Sequence, residues 1–551
     1  MPAKTIDHPS IADRRAVGAD ARIATPPSGH AGWVPAADRA DPVALLVEQD
    51  TTREQDLVPV RHGRMMVSPF TFYRGAARVM AADLAATPTS GLTAQLCGDA
   101  HLSNFGGFAS PERRLVFDLN DFDETLPGPF EYDVKRMAAS FTIAARNNGL
   151  TAAEGRDATL TAVKAYRAAM AEFAQMGTMD LWYAHISEDD LNEALSRVES
   201  EADIVRTAKL NDRLKGLKGK APKSAGKDAK GPKSKSKDAK GPKSKGKDAK
   251  SKDAKSKDAK GKDAKGKDAA AKSGKAGLVD DSAELRALKG AEKTLRKAHT
   301  RDSLQALSKL GELVDGHYRI VSQPPVVVPI RDWAAMYDIP EEDVEGGIHQ
   351  LFREYRATLP DDRRHLLERF EVIDVARKVV GVGSVGTRAF IVLLQGRDAQ
   401  DPLFLQVKEA TRSVLEDHLP KSRYQNPGER VVQGQRMMQA ASDIYLGWSK
   451  GIQADRFFYW RQLRDMKASA VIENMSAFAL SFYARLCGWT LARAHARSGD
   501  GVAMAEYLSS DDSFDNAIAD FSERYADQNE RDYQAFIDAV GSGRIDAIQG
   551  V

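Results

Sequence analysis

A lysine-rich stretch interrupts the 551-residue chain and cannot join a hydrophobic core. Between Lys215 and Lys275 there are 23 Lys and 7 Asp residues, with no aromatic residue and no β-branched one. Such a composition buries too little apolar surface to offset the conformational entropy that folding removes. We therefore predict a disordered Lys-rich insert over residues 214–276, which leaves about 490 residues to fold.

The insert also conceals the charge of the rest of the chain. Its 23 Lys and 7 Asp residues give it a formal charge of +16, whereas the whole chain carries only +2. The remainder is therefore near −14. This acidic balance excludes a strongly basic nucleic-acid-binding body, so weak polyanion binding at low salt is expected only of the insert or of a local pocket.

Cysteine content and hydropathy bear on the compartment. Cys97 and Cys487 are the only cysteines, too few for a disulfide framework in a chain of this length. No run approaches the roughly 18 apolar residues that a membrane span needs, and the first residues lack the apolar core of a signal peptide. We therefore expect a cytoplasmic protein without a membrane span.

The spacing of apolar residues divides the remaining chain into segments. Residues 1–40 lack periodicity and include the loop-like Pro26-Pro27-Ser28-Gly29, so we interpret them as a mobile N-terminal arm. Apolar residues three and four apart predict helices over much of the rest. The predicted segments that follow the arm are a helical lobe at 41–213, a helical segment at 277–369 that opens with a hairpin over 283–314, a sheet lobe at 370–465 and C-terminal helices at 466–551.

Short segments rich in β-branched residues and bounded by glycine-bearing turns predict strands. Most of them fall in the C-terminal third, which is typical of a small antiparallel sheet. The predicted strands are 92–96, 114–117, 370–375, 389–394, 403–407, 444–448 and 456–463.

The strongest chemical signal is Cys97-Gly98-Asp99-Ala100-His101-Leu102-Ser103-Asn104 with the following Asp121-Phe122-Asp123. Asp99 and Asn104 are five residues apart, the spacing between the catalytic Asp and the metal-binding Asn of a kinase catalytic loop. Asp121 and Asp123 would add the hard oxygen ligands that Mg²⁺ prefers. The alternative is that these Asp and Asn side chains only cap turns in a glycine-rich loop. Their clustering after two short strands favours a metal site.

A glycine-rich segment far along the chain supplies a second signal. Gly381, Gly383, Ser384 and Gly386 lie between two predicted strands, and Lys408 follows in the next strand. Protein kinases place the Lys that binds the α- and β-phosphates on the third strand, after such a loop. A glycine-rich hairpin without a ligand is the usual alternative for an isolated G-x-G-x-x-G.

Two further assignments follow if Lys408 binds phosphates. Such a lysine needs an acidic partner, and Glu429 opens the predicted helix 429–441, although a carboxylate there also stabilises a helix N-terminus by itself. Residues 461–463 fall where a kinase hinge offers backbone groups to adenine.

Several basic residues have two interpretations. Arg61, Arg64 and Arg74 would either bind an anionic substrate or form ion pairs with the acidic body. His101 is interpreted as a residue that orders its own loop, because a metallophosphoesterase would also need a Gly-Asn-His motif, which the sequence lacks.

These motifs resemble those of known small-molecule kinases. Gly98-Asp99-Ala100-His101-Leu102-Ser103-Asn104 resembles the H-G-D-x-H-x-x-N loop of aminoglycoside phosphotransferases, and the segment from Asp121 to Tyr132-Asp133 resembles their metal-binding Asp and the Y-D-L-A after it. From about Asp41 to Val540 the chain resembles the bacterial domain-of-unknown-function family twenty-two fifty-two, which is grouped with the protein-kinase-like superfamily and has no settled activity. The resemblance implies a two-lobed kinase-like α+β fold.

The motifs occur in the reverse of the usual kinase order, since the catalytic loop precedes the glycine-rich loop. The segment Leu491-Ala492-Arg493-Ala494-His495-Ala496-Arg497 resembles the helix that directly precedes H-G-D in small-molecule kinases. A circular permutation explains this order and is tolerable where the original termini lie close together. Two unrelated modules with chance motifs are the alternative.

The permuted kinase interpretation predicts an ATP- and Mg²⁺-dependent phosphotransferase that acts on a hydroxyl-bearing small molecule or protein. Asp99 would act as the base, Asn104, Asp121 and Asp123 as metal ligands, and Lys408 as the phosphate-binding residue, under the glycine-rich loop. Two alternatives remain open at this point: transfer of AMP by the same fold, and a non-catalytic ATP-binding regulatory protein.

Overall fold

Helices and several antiparallel sheets make up the described part of the protein, so the predicted α+β class is confirmed. The computed structural model describes residues 8–197, 281–314, 317–332, 341–379, 381–453, 455–463 and 466–550. The predicted disordered insert at 214–276 lies outside the described residues. The described residues on either side of it pack into one compact unit, in which no helix is both long and apolar enough to cross a membrane.

The helices and strands are numbered separately in chain order. The helices are α1 Ile11–Ala24, α2 Pro42–Asp50, α3 Val58–Met65, α4 Pro69–Gly75, α5 Ala77–Ala85, α6 Phe130–Asn147, α7 Ala152–Phe173, α8 Thr178–Tyr183, α9 Asp281–His299, α10 Ser303–Leu310, α11 Glu341–Ala357, α12 Asp361–Leu367, α13 Pro427–Met438, α14 Ala477–Ser498, α15 Gly501–Leu508 and α16 Ser513–Gly541. The strands are β1 Thr93–Leu96, β2 Phe105–Ala109, β3 Leu115–Leu119, β4 Leu126–Pro129, β5 Ile186–Ser187, β6 Gly311–Val314, β7 His317–Ile320, β8 Val327–Pro329, β9 Glu371–Lys378, β10 Ala389–Gln395, β11 Pro402–Glu409, β12 Gly447–Lys450 and β13 Phe457–Gln462.

The helical body is built around α6, α7, α14 and α16, whose apolar faces share one core. Gly488 lets α14 approach α7 closely, because a Cβ there would lie 2.2 Å from the carbonyl oxygen of Ala162. Thr151 and Glu154 form a capping box that fixes the start of α7. Helix α6 of this body binds the β1–β2 loop, since Ser140 Oγ accepts from the amide of Leu102 at 3.0 Å.

Six strands form an antiparallel sheet in the order β12-β13-β11-β10-β9-β8. Its alternating side chains pack on two sides: Val392 belongs to the cluster that contains Tyr355 of α11, and Ile391 to the one that contains Leu310 of α10. The strands predicted at 370–375, 389–394, 403–407 and 456–463 are thus confirmed as parts of one antiparallel sheet, whereas the one predicted at 444–448 is wrong in its bounds, because β12 begins only at Gly447. Strand β8 extends this sheet beyond the predicted lobe. The sequence did not predict β8, because the three residues Val327–Pro329 are too few to show an alternating pattern.

The predicted helical hairpin at 283–314 holds only in part. Helices α9 and α10 occupy 281–310, but residues 311–314 form strand β6, which pairs with β7. Gly311 ends α10 in an extended conformation, and that change of backbone direction turns the last four residues into a strand.

The N-terminal segment differs from the predicted mobile arm. Helix α1 carries a capping box from Ser10 and packs on α15, where a Cβ on Gly18 would lie 2.2 Å from the carbonyl oxygen of Ala503. His30 is buried and its Nε2 lies 2.8 Å from the Tyr507 hydroxyl. The sequence shows little of this, because α1 uses a glycine contact and ion pairs rather than an apolar stripe.

Burial of His30 makes stability depend on pH. Desolvation, with a smaller effect of Lys135, lowers the pKa of His30 from 6.5 to about 3. Below pH 6.5 the unfolded chain therefore binds a proton that the folded chain does not, and stability falls as the pH falls toward 3. When the pH falls from 7.5 to 5, the free energy of unfolding of His30→Gln should therefore decrease by on the order of 1–2 kcal/mol less than that of the wild type.

Urea unfolding at pH 5 and pH 7.5 measures the difference. His365→Gln, at an exposed position, serves as the control and should keep the wild-type pH dependence. An unchanged slope in His30→Gln would contradict a buried neutral histidine at this position.

Candidate functional site

The β1–β2 loop carries Asp99, and a buried arginine fixes the orientation of its carboxylate. Arg136 of α6 donates from Nε to Asp99 Oδ1 at 2.7 Å and lies over the Tyr73 ring, 3.8 Å from its centroid. Although burial opposes its charge, Asp99 and Tyr73 raise the pKa of Arg136 above its usual value. Asp99 therefore has a charged partner on one side and an open cavity on the other.

Asp133 of α6 binds the backbone of the same loop. Its carboxylate accepts hydrogen bonds from the amides of Cys97 at 2.7 Å and Gly98 at 3.0 Å, and lies 3.3 Å from His495 Nε2. Gly98 has a φ of +86°, and a Cβ there would lie 2.2 Å from the carbonyl oxygen of Glu124. The loop can therefore approach the acidic segment only with glycine at this position.

His101 and Asn104 stabilise the loop internally. His101 Nδ1 accepts from the amide of Ser103 at 3.2 Å, and Asn104 Nδ2 donates to the carbonyl oxygen of Asp99 at 2.7 Å. Burial, with Arg74 and Arg136, lowers the pKa of His101 well below its usual value, so the ring is neutral. This geometry agrees with the prediction that His101 orders its own loop.

The acidic segment after β3 meets Lys408 of β11. Lys408 Nζ donates to Asp123 Oδ2 at 2.7 Å, across 285 positions of sequence, and lies 3.8 Å from Asp121 Oδ1. The Tyr459 hydroxyl donates to Asp123 Oδ1 at 2.6 Å. Despite the opposing effect of burial, Lys408 and Tyr459 lower the pKa of Asp123, whereas burial and Asp123 raise that of Asp121. The segment thus holds two carboxylates with unequal proton affinity.

The alternation of β11 explains why Lys408 faces this segment. Phe404, Gln406 and Lys408 share one face of the strand, while Leu405 and Val407 pack in the cluster beneath α11. Because the sheet is covered on both sides, β11 is apolar over most of its length, and Lys408 is buried near its end.

The glycine-rich loop joins β9 to β10 and lies above the acidic segment. Ser384 Oγ is 3.4 Å from Asp123 Oδ2, and Gly381, Gly383 and Ser384 line a cavity with Asp99 and Asn104. Gly381 and Gly386 have positive φ values of 69° and 86°. Their conformations explain the need for glycine at both positions, and Gly386 itself does not line the cavity.

Helix α3 and the segment between α2 and α3 contact this loop from outside, an interaction that the sequence did not predict. Arg53 Nη1 donates to the carbonyl oxygen of Val385 at 2.5 Å, Arg64 Nη1 donates to that of Gly381 at 2.6 Å, and the amide of Glu54 donates to that of Gly386 at 2.7 Å. The loop is therefore fixed through its carbonyl groups.

The three basic residues singled out in the sequence have different roles. Arg61 is fully buried and donates to Asp50 Oδ1 at 2.9 Å, as the ion-pair interpretation predicts. Arg64 binds the glycine-rich loop. Arg74 lines the cavity beside Asp99.

The prediction that Glu429 pairs with Lys408 is wrong, since Asp121 and Asp123 are the carboxylates beside that lysine. Glu429 lies in the first turn of α13, where its backbone amide donates a hydrogen bond to Asn426 Oδ1. The neighbouring Arg430 reaches the site instead: its Nη2 donates to the carbonyl oxygen of Asp123 at 2.8 Å. Helix rotation decides which of two adjacent side chains faces inward, and the sequence signal at this helix start did not fix that rotation.

Two adjoining cavities meet at Asp121. The larger, about 590 Å³, is lined by Lys408, Gln406, Gln435 and Arg461, and the smaller, about 130 Å³, contains Asp99. Eight of the ten predicted site residues line one or both cavities, and Gly386 and Glu429 do not.

The predicted hinge at 461–463 lines the larger cavity, but two of its amides are already bonded within the protein. The amide of Gln462 donates to the Asp443 carboxylate, and that of Leu463 donates to the carbonyl oxygen of Phe404 at 2.9 Å. These two backbone groups are therefore not free to bind a base, and the side chains of Gln406 and Gln435 in the same cavity also have hydrogen-bond partners within the protein.

In the described ranges no three His, Cys, Asp or Glu side chains are grouped so that they could hold a metal ion. The donor set predicted from sequence has only two carboxylates, Asp121 and Asp123, together with the amide of Asn104, and all three line the smaller cavity.

Comparison with known proteins gives a family but no activity. The model of a family described as an uncharacterised protein conserved in bacteria (DUF2252) matches residues 53–235 and 256–539. No curated protein and no solved structure matches the chain. Because the match extends over most of the sequence, the chain belongs to this uncharacterised bacterial family.

Proposed function

We propose that the protein transfers a phosphoryl group from ATP to a hydroxyl group with the help of Mg²⁺. The observation that carries this proposal is the meeting of Lys408 with Asp121 and Asp123 under the glycine-rich loop, with Asp99 in the adjoining cavity. These groups come from distant parts of the chain, and chance motifs on unrelated modules would have no reason to converge.

Each residue has a defined task in this proposal. Asp99, oriented by Arg136, accepts the proton of the attacking hydroxyl. Lys408 leaves Asp123 to bind the nucleotide phosphates, and the Tyr459 hydroxyl keeps that carboxylate in place. The larger cavity, within the usual range of ligand pockets, accommodates the nucleoside.

Asp121, Asp123 and Asn104 fit Mg²⁺, because they offer hard oxygen atoms that line one cavity. Two carboxylates suffice for Mg²⁺ when phosphates and water complete its coordination. When bound, Mg²⁺ would stabilise the charge that develops on the phosphates.

A circularly permuted kinase-like fold is part of the proposal. Helix α14 ends beside β1: Ser498 Oγ accepts from the amide of Gln95 at 3.2 Å, and a Cβ on Gly499 would lie 2.6 Å from the carbonyl oxygen of Thr93. In an unpermuted kinase these two segments are joined. Their proximity supports a permutation rather than two independent modules.

Incubation of the protein with labelled ATP, Mg²⁺ and a metabolite pool, followed by mass analysis, tests the activity. Gain of a phosphate by one acceptor supports phosphoryl transfer. Gain of AMP would reassign the site to AMP transfer. Nucleotide binding with neither product would indicate a regulatory protein. The buried, unpaired Cys97 and Cys487 fit the proposed reducing cytoplasm, so the assay should contain a reductant.

Asp121→Ala should weaken nucleotide binding in the presence of Mg²⁺ by about tenfold or more, because it removes a metal-binding carboxylate. Binding without Mg²⁺ should change little, since Lys408, which binds the phosphates in this proposal, is retained. Calorimetric titration with and without Mg²⁺ measures both values. Asp398→Ala in the exposed β10–β11 turn is the control, and an unchanged Mg²⁺ dependence in Asp121→Ala would contradict the metal assignment.

A further inference from the structure

Arg74 stands apart from the other arginines of the N-terminal helices. Arg53, Arg61 and Arg64 each donate a hydrogen bond to a backbone carbonyl, and Arg78 pairs with carboxylates at the surface. Within the described part of the chain, the guanidinium of Arg74 has no hydrogen bond or ion pair, and its buried Nε lacks a partner.

The position of Arg74 is fixed by the helix that carries it. Ser68 and Thr71 form a capping box at the start of α4, and Arg74 lies in the last turn of this helix. Its carbonyl oxygen is 3.1 Å from where a Cβ on Gly383 would lie, so its backbone touches the glycine-rich loop. The side chain lines the smaller cavity together with Asp99 and Asn104.

Most carboxylates of that cavity have other positive partners: Asp99 pairs with Arg136, Asp121 and Asp123 lie beside Lys408, and Glu409 pairs with Arg388. Glu124 instead accepts from the amide of Val414 at 2.7 Å. Glu473, Asp99 and Asp121 attract Arg74 without forming an ion pair or a hydrogen bond with it, and Glu473 is exposed to solvent. Burial lowers the pKa of Arg74, as expected for a cation that has lost water without gaining a hydrogen-bonded partner.

We propose that Arg74 binds an oxyanion of phosphate size in the cavity beside Asp99. This inference rests on the proposed phosphotransferase function and adds a substrate feature to it. A guanidinium binds phosphate or carboxylate through two parallel hydrogen bonds. The cavity, about 130 Å³, is smaller than a typical ligand pocket, so it takes one such group rather than a whole ligand.

Two sources share this chemistry: the terminal phosphate of ATP, and an anionic group on the acceptor. Arg74 belongs to the N-terminal helices, outside the sheet and the catalytic loop that form the rest of the site. In both cases it adds a positive charge where the transferred group would pass.

Calorimetry on the full chain with Arg74→Gln, and with Arg78→Gln in the next helix, α5, as the matched control, tests the proposal. The ligands are ADP and a non-hydrolysable ATP analogue, each with Mg²⁺, and inorganic phosphate added to protein saturated with that analogue. Thermal unfolding of both variants checks that they fold.

If the terminal phosphate is the ligand, Arg74→Gln should weaken binding of the ATP analogue about 10- to 100-fold and leave the affinity for ADP unchanged. If the acceptor is the source, both nucleotides should bind normally and phosphate binding should be lost. Wild-type affinity of Arg74→Gln for all three ligands would overturn the inference while leaving the phosphotransferase proposal intact. If the wild type binds no nucleotide, the phosphotransferase proposal fails. Binding of inorganic phosphate without nucleotide then tests Arg74 separately: loss of this binding in Arg74→Gln would support the inference, and unchanged binding would overturn it.

Discussion

Asp99→Asn is expected to lower the rate of phosphoryl transfer by about 10²- to 10⁴-fold, because it removes the group that accepts the proton of the attacking hydroxyl. The asparagine keeps one oxygen for the Nε of Arg136, so the loop should keep its conformation. Nucleotide affinity should stay within a few-fold of the wild type, since Asp99 lies in the smaller cavity and Lys408 in the larger.

Turnover and nucleotide affinity have to be measured on the same preparation for this prediction. Asp398→Asn, at an exposed turn far along the chain, controls for the effect of the substitution chemistry. An Asp99→Asn protein that turns over at the wild-type rate would eliminate Asp99 as the base. A protein that loses both turnover and nucleotide binding would point to a structural role for the Arg136–Asp99 pair instead.

Local sequence patterns predicted those parts of the site that depend on short-range chemistry. The spacing of Asp99 and Asn104 and the glycine-rich loop from Gly381 to Gly386 can each be recognised from a few neighbouring residues. That Lys408 needs a carboxylate partner was also predictable, but the sequence led to Glu429 rather than to Asp121 and Asp123, which lie far away along the chain.

Long-range contacts account for the parts that the sequence did not predict. Arg53 and Arg64 bind the glycine-rich loop through its backbone carbonyl groups, which every residue has, so the sequence does not indicate these contacts. The choice between Glu429 and Arg430 depends on the rotation of one helix. Arg136 could have been found, since it lies three residues after Asp133 and therefore on the same face of α6.

A buried ion pair joins the strand before the acidic segment to the helix that ends beside β1. Asp118 of β3 and Arg493 of α14 are 2% and 1% exposed, and Asp118 Oδ2 also accepts from the amide of Ala440 at 3.0 Å. Nε and Nη1 of Arg493 have no hydrogen-bond partner, so the arginine depends on this one carboxylate. Burial accordingly lowers the pKa of Arg493.

Arg493→Met should destabilise the protein by about 3–5 kcal/mol, because it leaves the Asp118 carboxylate buried without a counter-charge. The double variant Arg493→Met/Asp118→Asn should recover most of this loss, since the asparagine is neutral and can still accept from Ala440. Urea unfolding measures all three proteins, with Arg364→Met at an exposed ion pair as the control, expected to change stability by less than about 1 kcal/mol. A single variant as stable as that control, or a double variant no better than the single one, would show that the pair does not tie β3 to α14 and that the acidic segment is held by other contacts.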